Sequence, residues 1–483
     1  MMTMDGPASS SAPGATDRSE PLSGDALVAR IDGLYEQQRR HFAAGRTLPQ
    51  SVRADALRAL LHAFESKEKL ICDALHTDLR KSAAESYLTE VGFVLAEVKH
   101  TLRHLGRWMR PDRNLPPLAV APSHSYVHHQ PLGLNLIIAP WNYPVQLAFA
   151  PLIGAIAAGN VAIIKPSELA PASSAVCAEL AREAFAEEHV AVLEGGVEVS
   201  KALLERRWDH IFFTGGTTVG RIVARAGAEH LSRVTLELGG KSPTIVTASA
   251  DLDVAARRIV WAKFVNAGQT CVAPDYLLVE ASVHDGLVSR MKAAITEFMG
   301  ADPKVSPDLG RIIDDRHFER LVKLIDPEKV VEGGSHDATE RYIAPTLMTD
   351  VTMDDAVMGE EIFGPILPVL RIESLEEAIA IVAQRPNPLA LYLFTTSRDD
   401  EHKVVERVSF GGGCINNAVI HLIDPKLPFG GVGESGQGAY HGHHSFETFS
   451  HRKAILKSAN FLDPSIKYPP YAGKMGMLRK LIG

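Results

Sequence analysis

Between Leu132 and Gly240 the chain repeats one unit, a short apolar run followed by an alanine-rich stretch with the length of a helix. The runs are Leu134–Ala139, Val161–Lys165, Val190–Leu193, His210–Thr214 and Val234–Leu238. Parallel strands need a crossover connection, usually a helix, so the alternation predicts an α/β fold with a doubly wound sheet. Ligands of such sheets bind beyond the carboxyl ends of the strands. Polar residues and glycines follow those ends here: Trp141 and Asn142, Lys165 to Glu168, Gly215 and Gly216, and Gly239. A nucleotide site is expected along that edge.

The chain has 483 residues, more than a single core of roughly 250–300 residues accommodates, so further units must flank this one. Upstream, from Asp25 to about Trp108, apolar residues recur at helical spacing, as in Leu57, Leu60, Leu61 and Phe64, which predicts a helical layer. Pro111, Pro116, Pro117, Pro122 and Pro131 then mark a connector in which Ser123 to Gln130 has strand character. Beyond Gly240, Thr244–Val246, Tyr276–Val279, Ile362–Leu370 and Leu391–Thr395 are strand candidates of a second α/β unit. The glycines of Phe410–Gly413 and Pro428–Gly433 are expected to be turns. The stretch after Gly438 is expected to return as an extended segment against the proline-rich arm. Residues 1–20, rich in Ser, Ala, Gly and Pro, read as a disordered tail that lacks the pattern of a signal peptide.

A formal net charge of −8 gives phosphate-backbone binding little support, so no nucleic acid partner is expected. No apolar run is long enough for a transmembrane segment. The four cysteines (Cys72, Cys177, Cys271, Cys414) are widely spaced, which suits a reducing, cytoplasmic setting. Cys72 and Cys177 have apolar neighbours and read as inert core thiols. Cys271 instead follows Asn266, Gly268, Gln269 and Thr270, and an isolated carboxylate, Glu237, precedes it in Glu237-Leu238-Gly239-Gly240-Lys241. A thiolate adds to an electrophilic carbonyl, and a separate carboxylate can then activate water against the resulting acyl-enzyme. His441, His443 and His444, like His128 and His129, lack the acidic or cysteine partners of a metal site; polar extended segments are expected there, and no metal.

Six motifs occur in the order found in aldehyde dehydrogenases: Pro140-Trp141-Asn142-Tyr143-Pro144, Lys165-Pro166-Ser167-Glu168, Phe213-Thr214-Gly215-Gly216, Glu237-Leu238-Gly239-Gly240-Lys241, Gly268-Gln269-Thr270-Cys271 and Glu361-Ile362-Phe363-Gly364-Pro365. With Cys271-Val272-Ala273-Pro274-Asp275-Tyr276 and the closing stretch Pro428 to His451, the chain resembles the class 3 branch of that family over nearly its whole length beyond the tail. The resemblance implies a variant Rossmann coenzyme domain (21–110 and 132–238), an α/β catalytic domain (239–415) and a small β oligomerisation arm (111–131 and 438–465) that makes a homodimer.

It further implies oxidation of an aldehyde to its acid through a thiohemiacetal and a thioester on Cys271. Asn142 and the Cys271 backbone N–H would hold the oxyanion, and Glu237 would be the base. Lys165 and Glu168 would meet the adenosine ribose, favouring NAD while leaving NADP open. No G-x-G-x-x-G follows a strand; Gly215, Gly216 and Gly220, at the opening of a helix, would receive the pyrophosphate instead. Glu361 and Phe363 would hold the nicotinamide ribose and ring. Tyr143, Leu147, Trp261 and Val265 would line an apolar entrance for aromatic aldehydes, coniferyl aldehyde among them, or medium-to-long aliphatic ones. Cys414 and Asn417 depart from the branch pattern and put the nearby pocket wall in doubt. Two other readings stand beside this one. One is a coenzyme A-acylating enzyme, against which Glu237 argues, and the other is a non-catalytic protein on the same scaffold.

Overall fold

The computed structural model describes residues 23–482; the tail read at 1–20 lies outside them. The chain opens with the helices Gly24–Ala43, Gln50–Ser66, Glu68–Leu79 and Gly92–Trp108, whose inward stripes bury Leu57, Leu60, Phe64, Val94 and Val98. This is the helical layer that the spacing predicts. Gln50–Ser66 and Gly92–Trp108 pack on Gln146–Ala158, a helix of almost uniformly apolar sequence that is buried all round. It sits at the centre of the largest core, where Phe149 meets Phe64 edge-on with ring centroids 5.1 Å apart.

A six-stranded sheet carries the five strands expected before Gly240. In spatial order its strands are Gly436–Gln437, Arg233–Glu237, His210–Thr214, Leu134–Ile138, Val161–Lys165 and Val190–Val192. All pairings are parallel except that of Gly436–Gln437. The strand order reverses between Leu134–Ile138 and His210–Thr214, and the crevice at such a switch point is where these sheets bind ligands. Asn142 follows the first of these strands and Gly215 the second.

A seven-stranded sheet follows, in the order Val330–Glu332, Thr346–Met348, Ile366–Ile372, Tyr276–Glu280, Pro243–Val246, Ala390–Phe394 and Gly412–Ile415. Only the Val330–Glu332 edge is antiparallel. The segments just before its strands, including Gly239–Lys241, Cys271, Glu361 and Asn387, share one cleft with the carboxyl ends of the first sheet. The cleft therefore lies between the end of one sheet and the start of the other.

The third sheet is the arm. Ser123–Pro131 pairs antiparallel with Ser450–Ser458 over nine residue pairs, and Asp112–Asn114 lies on its other side. The extended return after Gly438 is thus present, but it starts at Ser450. His443 and His444 instead lie on a short helix, Gly442–Thr448, where an extended segment was expected. The start of that helix is tied down by Glu97 Oε1, which accepts from the Gly442 N–H at 2.7 Å, and by Ser445 Oγ, which accepts from the His441 N–H at 2.8 Å. Such local acceptors favour a helical turn over a strand.

Two further expectations change. The segment 410–413 is not simply a turn, because Gly412–Ile415 is the edge strand of the second sheet. A Cβ on Gly413 would lie 2.1 Å from the Leu391 carbonyl oxygen, so glycine serves close strand approach there rather than chain reversal. The strand expected from Ile362 begins at Ile366, and Glu361 to Pro365 form a loop with Phe363 at φ 53°. That loop frees Glu361 and Phe363 to face the cleft.

Gly413→Ala should lower the urea midpoint by an amount equivalent to about 1–3 kcal/mol, the usual cost of overpacking. Gly216→Ala, whose added Cβ meets nothing within 4 Å, should leave the midpoint unchanged; equal shifts in the two would contradict the close-approach reading.

Candidate active site

Cys271 is held by an unusual turn. Asn266, Ala267 and Gly268 have φ of 53°, 51° and 75°, a left-handed run that costs non-glycine residues roughly 1–2 kcal/mol each. Gly268 has a second reason to be glycine, since a Cβ would lie 2.3 Å from the Gly364 carbonyl oxygen. Side-chain amides staple the run. Gln269 Nε2 donates to the carbonyls of Asn266 and Arg311, both at 3.0 Å, and its Oε1 accepts from the Ile313 N–H at 3.0 Å. Asn266 Nδ2 donates to the carbonyls of Asn142 (2.8 Å) and Gln269 (3.1 Å), and Glu85 Oε1 accepts from the Asn266 N–H at 2.5 Å. Gln269, Asn266 and Glu85 have no role legible in the sequence beyond the cluster of small and amide residues before the cysteine.

Asn142 belongs to the loop after Ile138. Its side chain is buried, and Nδ2 donates to the Gln269 carbonyl at 3.0 Å, which leaves the second amide N–H available. Tyr143 and Thr270 share a hydrogen bond between hydroxyls at 2.6 Å, joining this loop to the cysteine turn. Glu237 ends its strand in a fully desolvated position, and neither carboxyl oxygen has a hydrogen-bond partner among the described residues.

Two cavities meet at these residues. A cleft of about 750 Å³ is lined by Asn142, Gly215, Gly216, Glu361 and Phe363. A second cavity of about 120 Å³ is lined by Tyr143, Leu147, Trp261, Val265, Phe429 and other largely apolar groups. Cys271 and Glu237 line both. All four candidates for the apolar entrance therefore face one chamber, with Trp261 partly exposed to solvent.

Burial dominates the electrostatics. It pushes the Cys271 thiol up to about 12, with the carboxyls of Glu361 and Glu237 adding to the shift and the backbone N–H groups of Cys271 and Val272 opposing it. Burial alone holds Glu237 well above the usual carboxylate range. Glu361 is raised to about 8 by burial and then by Asp275. Burial therefore favours the protonated form of all three groups.

Glu361 is placed by Lys241, a residue whose sequence motif does not reveal this contact. Lys241 Nζ donates to Asp275 Oδ2 (2.5 Å) and to the carbonyls of Val357 (3.0 Å) and Glu360 (2.8 Å), while Asp275 Oδ1 accepts from the Ile362 N–H at 2.9 Å. The Glu361 carboxylate lies over Gly239, where a Cβ would meet it at 2.1 Å. Phe363 packs edge-on against Trp141 at 5.4 Å.

The other cofactor candidates fall into two groups. Gly215 and Gly216 line the cleft where the helix Thr217–Glu229 begins, a position suited to pyrophosphate oxygens. Gly220 does not line it; this residue is buried against Leu238, whose Cδ2 would lie 2.6 Å from an added Cβ, so it permits close packing of helix on strand. Lys165, buried at the end of its strand, donates to Glu168 Oε2 at 2.6 Å beyond the cleft lining. Arg316, Arg320 and Asn387, none of them singled out from the sequence, complete the cleft wall.

Comparison with known proteins accords with this geometry. The aldehyde dehydrogenase family model matches residues 24–455. The chain is 47% identical to a 4,4'-diaponeurosporen-aldehyde dehydrogenase of Staphylococcus aureus, covering 93% of this chain and 98% of that protein. It is 44% identical to a dimeric NADP-preferring aldehyde dehydrogenase of Mus musculus, covering 93% and 99%. The substrate-bound structure of Staphylococcus aureus AldH superposes with a TM-score of 0.92 at 46% identity, covering 94% of this chain and 99% of that one. The chain belongs to the aldehyde dehydrogenase family, as an NAD(P)-dependent oxidoreductase with class 3 relatives.

Proposed function

We propose that the protein oxidises apolar aldehydes to carboxylic acids through a thioester on Cys271, with NAD as the preferred coenzyme. The carrying observation is that Cys271 and Glu237 lie on the wall shared by the polar cleft and the apolar chamber. A carbonyl entering from the apolar side would meet the sulfur with Asn142 Nδ2 and the Cys271 N–H as oxyanion donors. The nicotinamide ring supplies the hydride acceptor when the coenzyme is bound. Glu237 then takes a proton from water for hydrolysis of the thioester, and its place at the junction favours water over coenzyme A as acceptor.

The chamber's lining supports aromatic substrates such as coniferyl aldehyde, or medium-to-long aliphatic ones. The Staphylococcus aureus relative is named for 4,4'-diaponeurosporen-aldehyde, which supports an aldehyde as the substrate class. Lys165 and Glu168, already paired with each other, support the NAD preference, since the Glu168 carboxylate suits ribose hydroxyls and opposes a 2′-phosphate. The strand Ser450–Ser458 exposes most of its residues and has a free edge, which supports a homodimer built through the arm. No described helix is long and apolar enough to cross a membrane, in keeping with a cytoplasmic reading.

A steady-state panel of aldehydes with NAD and NADP tests the assignment. Apolar aldehydes should exceed small charged semialdehydes in kcat/KM by at least about tenfold, since a few kcal/mol of burial separate them; comparable values contradict the apolar chamber. Cys271→Ala should abolish oxidation, whereas Glu237→Gln should release about one equivalent of reduced coenzyme per site and then stall; substantial steady turnover in the first variant would overturn the thioester route.

The pH dependence has a definite sign. A carboxyl with a raised pKa is an uncharged acid below that value and a base above it, so thioester hydrolysis should accelerate with pH through the Glu237 titration, above the usual carboxylate range. Rapid-quench measurement of acyl-enzyme decay should show this rise in the unaltered protein and lose it in Glu237→Gln. A flat profile in the unaltered protein would remove Glu237 as the base.

A further inference from the structure

Lys81 and Glu90 are an ion pair of 2.6 Å with no solvent exposure on either side chain, and the reaction described above does not use them. Isolating two charges from water costs several kcal/mol per ion, so the pair must be judged by what it holds in place. Glu90 lies in the wide π-helical turn Tyr87–Val91, inserted between the helices Ala83–Ser86 and Gly92–Trp108. Turns of this kind are frequent at functional sites.

Among the described residues, the remaining hydrogen bonds of the two side chains fall on residues 142–146. Lys81 Nζ donates to the Asn142 carbonyl at 3.0 Å and lies 4.1 Å from the centroid of the Tyr143 ring. Glu90 Oε2 accepts from the N–H groups of Val145 (2.9 Å) and Gln146 (3.1 Å). The pair thus grips residues 142–146 at four points. Asn266 Nδ2 adds a second donor to the same Asn142 carbonyl, so the backbone of Asn142 is fixed from the pair on one side and from the cysteine turn on the other.

We propose that Lys81 and Glu90 are positioning residues for the acylation step, holding the Asn142 backbone so that its side-chain amide meets the oxyanion formed at Cys271. A buried charged pair suits this task because its hydrogen bonds are directional, whereas apolar packing of similar volume would stabilise the loop without fixing the amide's orientation. The inference rests on the oxyanion role of Asn142 given under the proposed function.

The test uses the full-length chain with coenzyme and an aromatic aldehyde, and reads the single-turnover rate of coenzyme reduction together with coenzyme KM. Asn142→Ala should lower that rate by roughly 10²–10³-fold. Glu90→Gln, which keeps the side chain's shape, and Lys81→Met should each lower it by about 10–100-fold, the scale of a donor displaced by an ångström or less. Coenzyme KM should stay within about twofold in each. Combined with Asn142→Ala, either substitution should cost less than about twofold more, because the group it positions is already gone.

Multiplying losses in the double variants would overturn the proposal, as would unchanged rates in the singles while Asn142→Ala is slow. If Lys81→Met does not fold, Glu90→Gln alone decides. An unchanged rate in Asn142→Ala would instead overturn the oxyanion assignment and this inference with it.

Discussion

Desolvation at the meeting of the two sheets governs the site. The six-stranded sheet delivers Asn142 and Glu237 from its carboxyl edge, and the seven-stranded sheet delivers Cys271 and Glu361 from the loops before its strands. Each titratable group arrives where water is scarce, so burial favours the protonated form of the sulfur and of both carboxyls. A resting thiol is a poor nucleophile, and it is also protected from adventitious oxidation. Reactivity therefore waits on a change in local charge. Beside burial, Glu361 and Glu237 add to the rise of the Cys271 thiol, and the N–H groups of Cys271 and Val272 oppose it.

The backbone around Cys271 is equally constrained. Three consecutive residues with positive φ are an expensive way to make a turn, and such strain persists only where surrounding contacts over-determine it. Here Gln269 uses both ends of its amide, Asn266 uses its side-chain N–H groups, and Gly364 leaves no room beside Gly268. The turn presents the sulfur and the N–H groups of Cys271 and Val272 together. The Asn142 loop is fastened to this turn by Asn266 Nδ2 on its carbonyl and by its own Nδ2 on the Gln269 carbonyl, so Asn142 and Cys271 belong to one hydrogen-bonded unit.

Much of this was legible in the chain. The five strands of the first unit, the helical layer and the pairing of the proline-rich arm with a C-terminal segment follow from periodicity, and Cys271 and Glu237 follow from motifs surrounded by small residues. The misreadings share a physical cause. Gly413 looks like a turn residue because glycine is common in turns, yet its contact is with Leu391 on the neighbouring strand, a relation that no local window contains. Gly220 looks like part of a phosphate loop but faces Leu238. What Lys241, Lys81 and Glu90 hold in place is not legible locally, because those segments lie elsewhere in the chain: Lys241 reaches the stretch before Ile366, and Lys81 and Glu90 reach the one after Ile138.

The two cavities divide the chemistry between them. The polar cleft contains Arg316, Arg320 and the amides at the start of the helix Thr217–Glu229, all suited to an anionic dinucleotide. The apolar chamber offers few hydrogen-bond partners, so a substrate gains there mainly by surface burial. Charge differs sharply across the reaction: the aldehyde is neutral and the product is an anion. A chamber that binds the neutral group well binds a carboxylate poorly, because burying an unpaired charge is costly.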